Sequence, residues 1–255
     1  MPIGRLVATA LMLSGVLVWA QSEALQSVTI PLRNGQTESE MSSIAIAVRT
    51  AAGIPKLSLD TSNRAITFSG TPGQLELVRS LIAELDQPSF APIPDNSAGR
   101  GYPVPDGGAH QARVFYVKNA ANPQAQQEVM VTLRTLEDIH SIFPYWSRRA
   151  LVMRGTRQQL EFASWLISEI DRRTAPQADI SDGPAQYQFA GSDEFARIFF
   201  LKPPQSPQQL QQKFIAIRSQ ANINRAFPIT AAQAIAARGT AAQLQLAEQA
   251  IKALP

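Results

Sequence analysis

Apolar and polar residues follow the same order in three long stretches of the chain. Each stretch opens with a run of β-branched and aromatic residues that ends in a basic residue, which predicts a strand. The three runs lie at 28–33, 113–118 and 197–202. A polar residue suited to capping a helix follows each run, and apolar residues then recur every three or four positions, which predicts an amphipathic helix.

Each stretch continues with two short strands and ends in a second amphipathic helix. The dipeptide Gly-Thr precedes each of these helices, starting at Gly70, Gly155 and Gly239. Glycine permits a tight turn there, and the threonine caps the helix. The pattern therefore predicts the element order β-α-β-β-α, with two helices packed on one face of a three-stranded sheet.

The three stretches are copies of one unit. The Gly-Thr dipeptides at Gly70, Gly155 and Gly239 follow each other at nearly equal spacing along the chain. The same spacing relates the predicted helix caps Thr37, Asn122 and Ser206. Equal spacing at separate landmarks indicates a tandem array. We predict an α+β fold of three β-α-β-β-α modules at 28–88, 113–173 and 197–255.

The segments between the modules differ from them in composition. Residues 89–112 are rich in proline and glycine, and residues 174–196 are acidic and carry no basic residue. Such compositions are typical of extended or flexible linkers. We expect three separate modules on two protease-sensitive tethers.

The amino terminus has the layout of a secretory signal peptide. Arg5 precedes an apolar run at 6–19, and Val18-Trp19-Ala20 suits cleavage after Ala20. The alternative is a membrane anchor, but a spanning helix needs about 20 apolar residues. We expect residues 1–20 to be a signal peptide and the mature chain to be periplasmic or secreted.

Composition narrows the classes of protein further. The chain has no cysteine, so neither a disulfide nor a thiolate metal site stabilises it. Its net charge of +3 is distributed unevenly, because basic residues accumulate in the second and third modules. Such an asymmetry can steer a charged partner, or it can hold the acidic linker on the third module.

The end of each module resembles the short periplasmic N-domains of bacterial secretins. The resemblance rests on the segment 59–72, Leu-Asp-Thr-Ser-Asn-Arg-Ala-Ile-Thr-Phe-Ser-Gly-Thr-Pro, and on the apolar spacing that ends at Leu85-Asp86. The second and third copies lack the Asn63 turn, and Pro255 replaces the aspartate in the third. No sequence like the secretin pore domain follows the modules, so we expect that this chain is not itself an outer-membrane channel.

The resemblance implies a KH-like module and a role in protein–protein interaction. Secretin N-domains form rings or bind other components of envelope machines, such as type II secretion systems and type IV pili. The chain resembles a tandem string of these modules. A secretin, another envelope protein or a second copy of the chain are therefore the expected partners.

Candidate chemistry for catalysis is sparse. His110 lies in the first linker and His140 lies in the second predicted strand of the second module, and neither belongs to a cluster of the kind that metal sites or catalytic triads need. Asp60 and Asp86 are single carboxylates without a second acid for proton transfer. We expect no catalytic residue, no metal site, no cofactor and no enzymatic activity.

Five residues of the second module are candidates for partner binding. Four are basic residues predicted to lie near one edge, Arg148, Arg149, Arg154 and Arg157, which fit either an anionic partner or a solvated rim. The fifth is Trp165, whose helical phase places it opposite the apolar stripe of its own helix. An exposed tryptophan is a common interface anchor, although linker residues such as Phe90 or Tyr102 would cover it equally well.

Two functions follow from these features. The first is a periplasmic interaction or scaffold protein of a secretion or pilus-type machine. The second is an envelope protein that binds nucleic acid through its basic second and third modules. The resemblance to KH domains brings in the second function, but no copy has, between two helices, the Gly-x-x-Gly loop with which KH domains clamp RNA.

Overall fold

Three antiparallel sheets and six helices make up the computed structural model of the chain. It describes residues 24–254 except for 36, 89, 97–98, 106, 121, 175–184 and 202–204. The predicted signal peptide, residues 1–20, lies outside the described residues.

The first module has the predicted element order. Its elements are β1 (Gln26–Pro31), α1 (Glu38–Ala52), β2 (Lys56–Asp60), β3 (Ala65–Gly70) and α2 (Pro72–Leu85). The sheet order is β1-β3-β2, so the last strand lies in the centre.

The second module repeats this order and adds a strand. Its elements are β4 (Tyr102–Pro103), β5 (His110–Tyr116), α3 (Pro123–Glu137), β6 (Ser141–Tyr145), β7 (Ala150–Thr156) and α4 (Arg157–Thr174). The sheet order is β4-β5-β7-β6, and a short 3-10 turn precedes β7.

The third module has the same architecture as the second. Its elements are β8 (Ala185–Gln188), β9 (Glu194–Phe200), α5 (Pro207–Gln220), β10 (Arg225–Ile229), β11 (Ala234–Thr240) and α6 (Ala241–Lys252). The sheet order is β10-β11-β9-β8.

The structure confirms the α+β fold of three tandem modules and corrects its strand number. Each of the second and third sheets has four strands, because β4 and β8 pair with the first strand of the predicted unit. Both added strands come from segments that the sequence assigns to linkers. The sequence does not predict these strands because they are short, have little apolar periodicity and lie in segments rich in proline, glycine or charged residues.

The predicted helix caps are confirmed. The side chains of Thr37, Thr71, Ser206 and Thr240 each accept a hydrogen bond from the third helical residue, whose Glu or Gln side chain bonds back in a capping box. Asn122 caps α3 in the same way but without the reciprocal bond. Gly53 ends α1 at φ 66°, a left-handed conformation that suits glycine.

The modules are packed against each other, which differs from the expected string of separate units. The core of the first module is continuous with Val114, Tyr116 and Val152 of the second sheet. The core of the second module is continuous in the same way with Ala196, Ile198 and Ala236 of the third. Sequence patterns within one unit do not report this packing, because it joins residues of different units.

The first linker is ordered against the second module over much of its length. Asn96 is buried, and its side chain pairs with both backbone groups of Tyr116, accepting from the amide at 2.7 Å and donating to the carbonyl at 2.6 Å. This side chain therefore continues the edge that β4 covers. Phe90, in contrast, is 89% exposed.

We expect truncation of the second-helix stripe to be costly. Ile167 is fully buried in the second core, so Ile167→Ala should lower the free energy of unfolding by about 2–4 kcal/mol. Ile46 on α1 is 40% exposed, and Ile46→Ala is the matched control with an expected loss below about 0.5 kcal/mol. Urea unfolding measures both, and equal losses would contradict the assigned packing face.

Candidate interaction surfaces at the module junctions

Each of the second and third sheets is apolar on both faces. In the second, residues such as Phe115, Leu151 and Met153 face the module's own helices, and the residues between them face the preceding module. Neighbouring residues of a strand point to opposite faces of the sheet, so consecutive apolar residues make both faces apolar. A sheet with two apolar faces must be covered on both sides. Helix α1 covers part of the outer face of the second sheet, and α3 covers part of the same face of the third.

The corresponding face of the first sheet is polar. The Ser27 and Ser69 hydroxyls lie 2.7 Å apart, and those of Thr29 and Thr67 lie 2.8 Å apart. The register of β1 against β3 places these pairs directly opposite each other. This hydroxyl face pairs its own polar groups across the strands and needs no preceding module.

A basic residue marks the same position in both junctions. Arg154 and Arg238 occupy equivalent positions of their modules, on the interior strands β7 and β11. Arg238 donates to the Leu136 carbonyl at 2.9 Å and forms ion pairs with Glu137 and Glu194. The Leu136 carbonyl is among the last of α3, where a cation is favoured.

Arg154 takes the equivalent place beside the end of α1. A Cβ atom at Gly53 would lie 3.2 Å from its guanidinium Nη1. Gly53 is the residue that ends α1, so this side chain fills the space between the first two modules. Arg154 is therefore part of a junction and is only half-exposed.

Arg148 is also committed to the first junction. Its side chain is 5% exposed and donates from Nη1 to the Pro88 carbonyl at 2.6 Å and to the Ala91 carbonyl at 3.0 Å. These bonds tie the chain that leaves α2 to the second module. The predicted solvated position of Arg148 is therefore corrected to a buried, structural one.

The two remaining arginines are exposed but do not complete a common site with the others. Arg149 has φ 52° and donates to the Lys118 carbonyl at 2.5 Å. Arg157 stands in the first turn of α4 and pairs with Glu161 at 2.8 Å. The four predicted arginines therefore have four separate sets of partners, and the expected basic cluster is not a single binding surface.

Trp165 is half-buried, which corrects its predicted exposure. Its ring centroid lies 5.7 Å from that of Phe162 and 5.4 Å from that of Tyr187. Tyr187 belongs to β8, which adds to the third sheet, so the aromatic cluster spans the second junction. The helical phase correctly placed Trp165 away from its own core, but the neighbouring module covers that side.

A tyrosine occupies the same place in both added strands. Tyr102 pairs with Ala112 and Tyr187 with Ala196, and these alanines hold equivalent positions in their modules. The Tyr102 hydroxyl donates to Glu84 of α2 at 3.2 Å, and burial raises the pKa of the Glu84 carboxyl. Each tyrosine thus joins its sheet to the second helix of the preceding module.

The aspartates at equivalent positions near the ends of the closing helices, Asp86 and Asp171, are structural. The Asp86 carboxylate accepts hydrogen bonds from the backbone amides of Arg33 and Asn34 at 2.6 and 2.8 Å. Asp171 accepts from the amides of Lys118 and Asn119, both at 2.9 Å. Each carboxylate thereby fixes the loop between the first strand and the first helix of its module.

The third module closes this region differently. Its equivalent of Asp171 is Pro255, which lies outside the described residues. Lys213 is buried and donates from Nζ to the carbonyls of Ile251 and Leu254 at 3.1 and 2.6 Å. Ile251 is in the last turn of α6 and Leu254 follows the helix, so the lysine stabilises the end of a helix.

The histidines take no part in a cluster that the structure shows. His110 is the first residue of β5 and not part of the linker, and its Nδ1 lies 2.7 Å from the Gly107 carbonyl, whereas His140 is exposed. Within the described ranges, no three His, Asp or Glu side chains lie close enough together to hold a metal ion. None of the helices in the described part of the chain has the length and apolar character needed to cross a membrane.

Comparisons with known proteins give only distant similarities. No family model and no curated protein matches the chain. Among solved structures, an Aeropyrum pernix protein of unknown function is similar over 58% of this chain and 83% of its own, with 9% identity and a TM-score of 0.29.

Two secretin structures are similar over more of the chain. The pilotin–secretin complex AspS–GspD of ETEC has 13% identity over 91% of this chain, and ExeD of Aeromonas hydrophila has 12% over 91%. The chain spans only 38% and 41% of their lengths, and both TM-scores are 0.21. At these TM-scores the similarities carry no functional argument.

We expect Trp165 and Tyr187 to be energetically coupled across the second junction. In a double-mutant cycle of Trp165→Ala and Tyr187→Ala, the coupling free energy should be about 0.5–1.5 kcal/mol. Urea unfolding of the full chain measures it. The control cycle pairs Trp165→Ala with Phe90→Ala, which should be additive because Phe90 is exposed, and additivity in both cycles would contradict the junction.

Proposed function

We propose that the chain is a non-enzymatic periplasmic scaffold that binds other proteins of a secretion or pilus-type envelope machine. The observation that carries this proposal is the stacking of three like modules through continuous apolar cores. Stacked repeats hold their exposed surfaces at fixed separations, which is how repeat proteins present extended binding surfaces. The sequence resemblance to secretin N-domains supplies the class of machine.

The use of the polar side chains supports a scaffold over an enzyme. Arg148, Asp171 and Lys213 are the kind of buried charged groups that mark active sites elsewhere. Each of them instead bonds to backbone groups that would otherwise lack partners. Their surroundings are explained by the packing of modules and loops.

The nucleic-acid alternative loses much of its basis in the structure. It depends on basic residues of the second and third modules being available to phosphate groups. Arg148 and Arg238 are engaged within the junctions, and Arg225 bonds to the Leu136 carbonyl and to Asp138. These three arginines are therefore already bonded within the chain, which reduces the number of basic side chains available to phosphate groups.

We expect export to be required for partner capture. The full chain with a carboxyl-terminal tag should crosslink to envelope proteins in the native cell, whereas the matched variant lacking residues 1–20 should stay in the cytoplasm and lose them. Mass spectrometry of the crosslinked fractions identifies the partners and the amino terminus.

Equal capture by both forms, or an unprocessed amino terminus on the full chain, would contradict the proposal. A salt-sensitive mobility shift with duplex DNA, without envelope partners, would favour the nucleic-acid function.

A further inference from the structure

Three equivalent edge strands differ in whether their outer edge can pair with a further strand. β2, β6 and β10 each pair on one side with the last strand of their own module, β3, β7 and β11. β6 contains Pro144 and β10 contains Pro228, whereas β2 has Leu59 at this position. Proline on an edge strand prevents further strand pairing, because it has no N–H group to donate.

The registers show that these three positions are equivalent. Pro144 lies opposite Leu151 and Pro228 opposite Ile235, while Leu59 lies opposite Ile66. These partners follow each other along the chain at the same spacing as the three Gly-Thr dipeptides. The N side of an edge proline faces away from the sheet, so the backbone groups of Leu59, and of Leu57 two positions earlier, point outward.

The side chains of β2 are accessible in the same region. Lys56, Ser58, Leu59 and Asp60 are exposed, and Leu57 is half-buried. In the described part of the chain no strand pairs with the outer side of β2. An exposed edge with outward N–H and C=O groups is a template for another strand.

The sequence of β2 is self-complementary. It reads Lys-Leu-Ser-Leu-Asp from Lys56 to Asp60. In an antiparallel pair with a two-fold axis at Ser58, each Lys56 lies opposite an Asp60 and each Leu57 lies opposite a Leu59. We propose that the β2 edge binds the β2 edge of a second copy of this chain, which forms a two-fold symmetric dimer.

The backbone directions agree with this register. Leu57 and Leu59 carry the outward groups, so each Leu57–Leu59 pair exchanges two hydrogen bonds, as directly opposed residues in an antiparallel ladder do. The two pairs give four bonds in total. A register shifted by one position would oppose an outward residue to an inward one and would form no such pairs.

On both faces of the joined sheet, the side chains of the two copies are chemically complementary. Leu57 and Leu59 lie opposite Phe68 and Ile66, which are buried beneath the module's helices. The leucines of the two copies would therefore extend an apolar face. Lys56, Ser58 and Asp60 share the other face with the hydroxyl pairs of β1 and β3, where opposite charges directly across a ladder are favourable.

Hydrogen bonds in the turn after β2 fix the Asp60 side chain, which would pair with Lys56 of the second copy. Its carboxylate accepts hydrogen bonds from the backbone amide of Asn63 at 3.0 Å and from the Asn63 side chain at 2.8 Å. These bonds lower the pKa of the Asp60 carboxyl. The acid opposite Lys56 is therefore ordered and ionised.

The first test replaces Leu59 with the residue that the other modules carry. The mature full chain should sediment as a reversible dimer with a dissociation constant below about 1 mM. Leu59→Pro removes the outward N–H from both copies. We therefore expect the dissociation constant of the dimer to rise at least about 10-fold. Pro144 and Pro228 show that this strand position accepts proline, and circular dichroism checks the fold.

Ser58→Ala is the matched control on the same strand. Ser58 contributes no outward backbone group, so this variant should dimerise like the wild type. A wild-type chain that is monomeric up to about 1 mM, or a dimer that Leu59→Pro leaves unchanged, would overturn the proposal. The second result would place any dimer on another surface.

The second test uses the two charged pairs. Lys56→Asp and Asp60→Lys each create two like-charged pairs in a homodimer, so each should dimerise at least about 10-fold more weakly than the wild type. A mixture of the two variants restores both opposite-charge pairs and should form a heterodimer, measured by sedimentation with one chain labelled. Failure of the mixture to associate, while both chains keep their fold, would overturn the register.

Dimerisation and partner capture are separate outcomes. The sedimentation tests use the purified chain alone, so their failure leaves the envelope scaffold proposal intact. Loss of envelope partners from a chain that still dimerises would contradict only the proposed function.

Discussion

The architecture depends on burial of the second apolar face of each following sheet. Val114 and Val152 in the second module and Ile198 and Ala236 in the third would be open to water in an isolated unit. Units of this size bury a small fraction of their surface alone. The first helix of the preceding module contributes the missing cover, so the stability of each unit depends on its neighbour.

The two ends of the stack satisfy this constraint in another way. The first sheet presents paired hydroxyls where its successors present apolar residues. On α5, Gln212 occupies the position of Glu128, whose carboxylate accepts a bond from the Ala231 amide of the following module at 3.0 Å. Gln212 and Ser219 are exposed. Ile215 lies between them on α5 and is exposed as well, so this outer surface is mixed, whereas that of the first sheet has the polar character typical of terminal repeats.

Sequence patterns predict what forms within one unit and miss what forms between units. The caps Thr37 and Thr71 and the helix stripes are local, and their spacing alone identifies them. Trp165 and the added strand β8 are defined by their neighbours, so helical phase or β-propensity within one unit could not place them. One signal was available, because Tyr102 and Tyr187 recur at the spacing of the modules in segments assigned to linkers.

Packing between units also determines where the arginines of the second and third modules lie. A cluster of arginines in sequence favours an anionic partner only if the side chains reach solvent together. Arg154 and Arg238 instead lie at the carboxyl ends of the preceding helices, where Arg238 bonds to the Leu136 carbonyl and to Glu137. Ser69 occupies the equivalent position in the first module, where the described residues include no preceding helix. Arg154 and Arg238 therefore stand where a module packs against a preceding one, so this part of the basic charge serves the junctions.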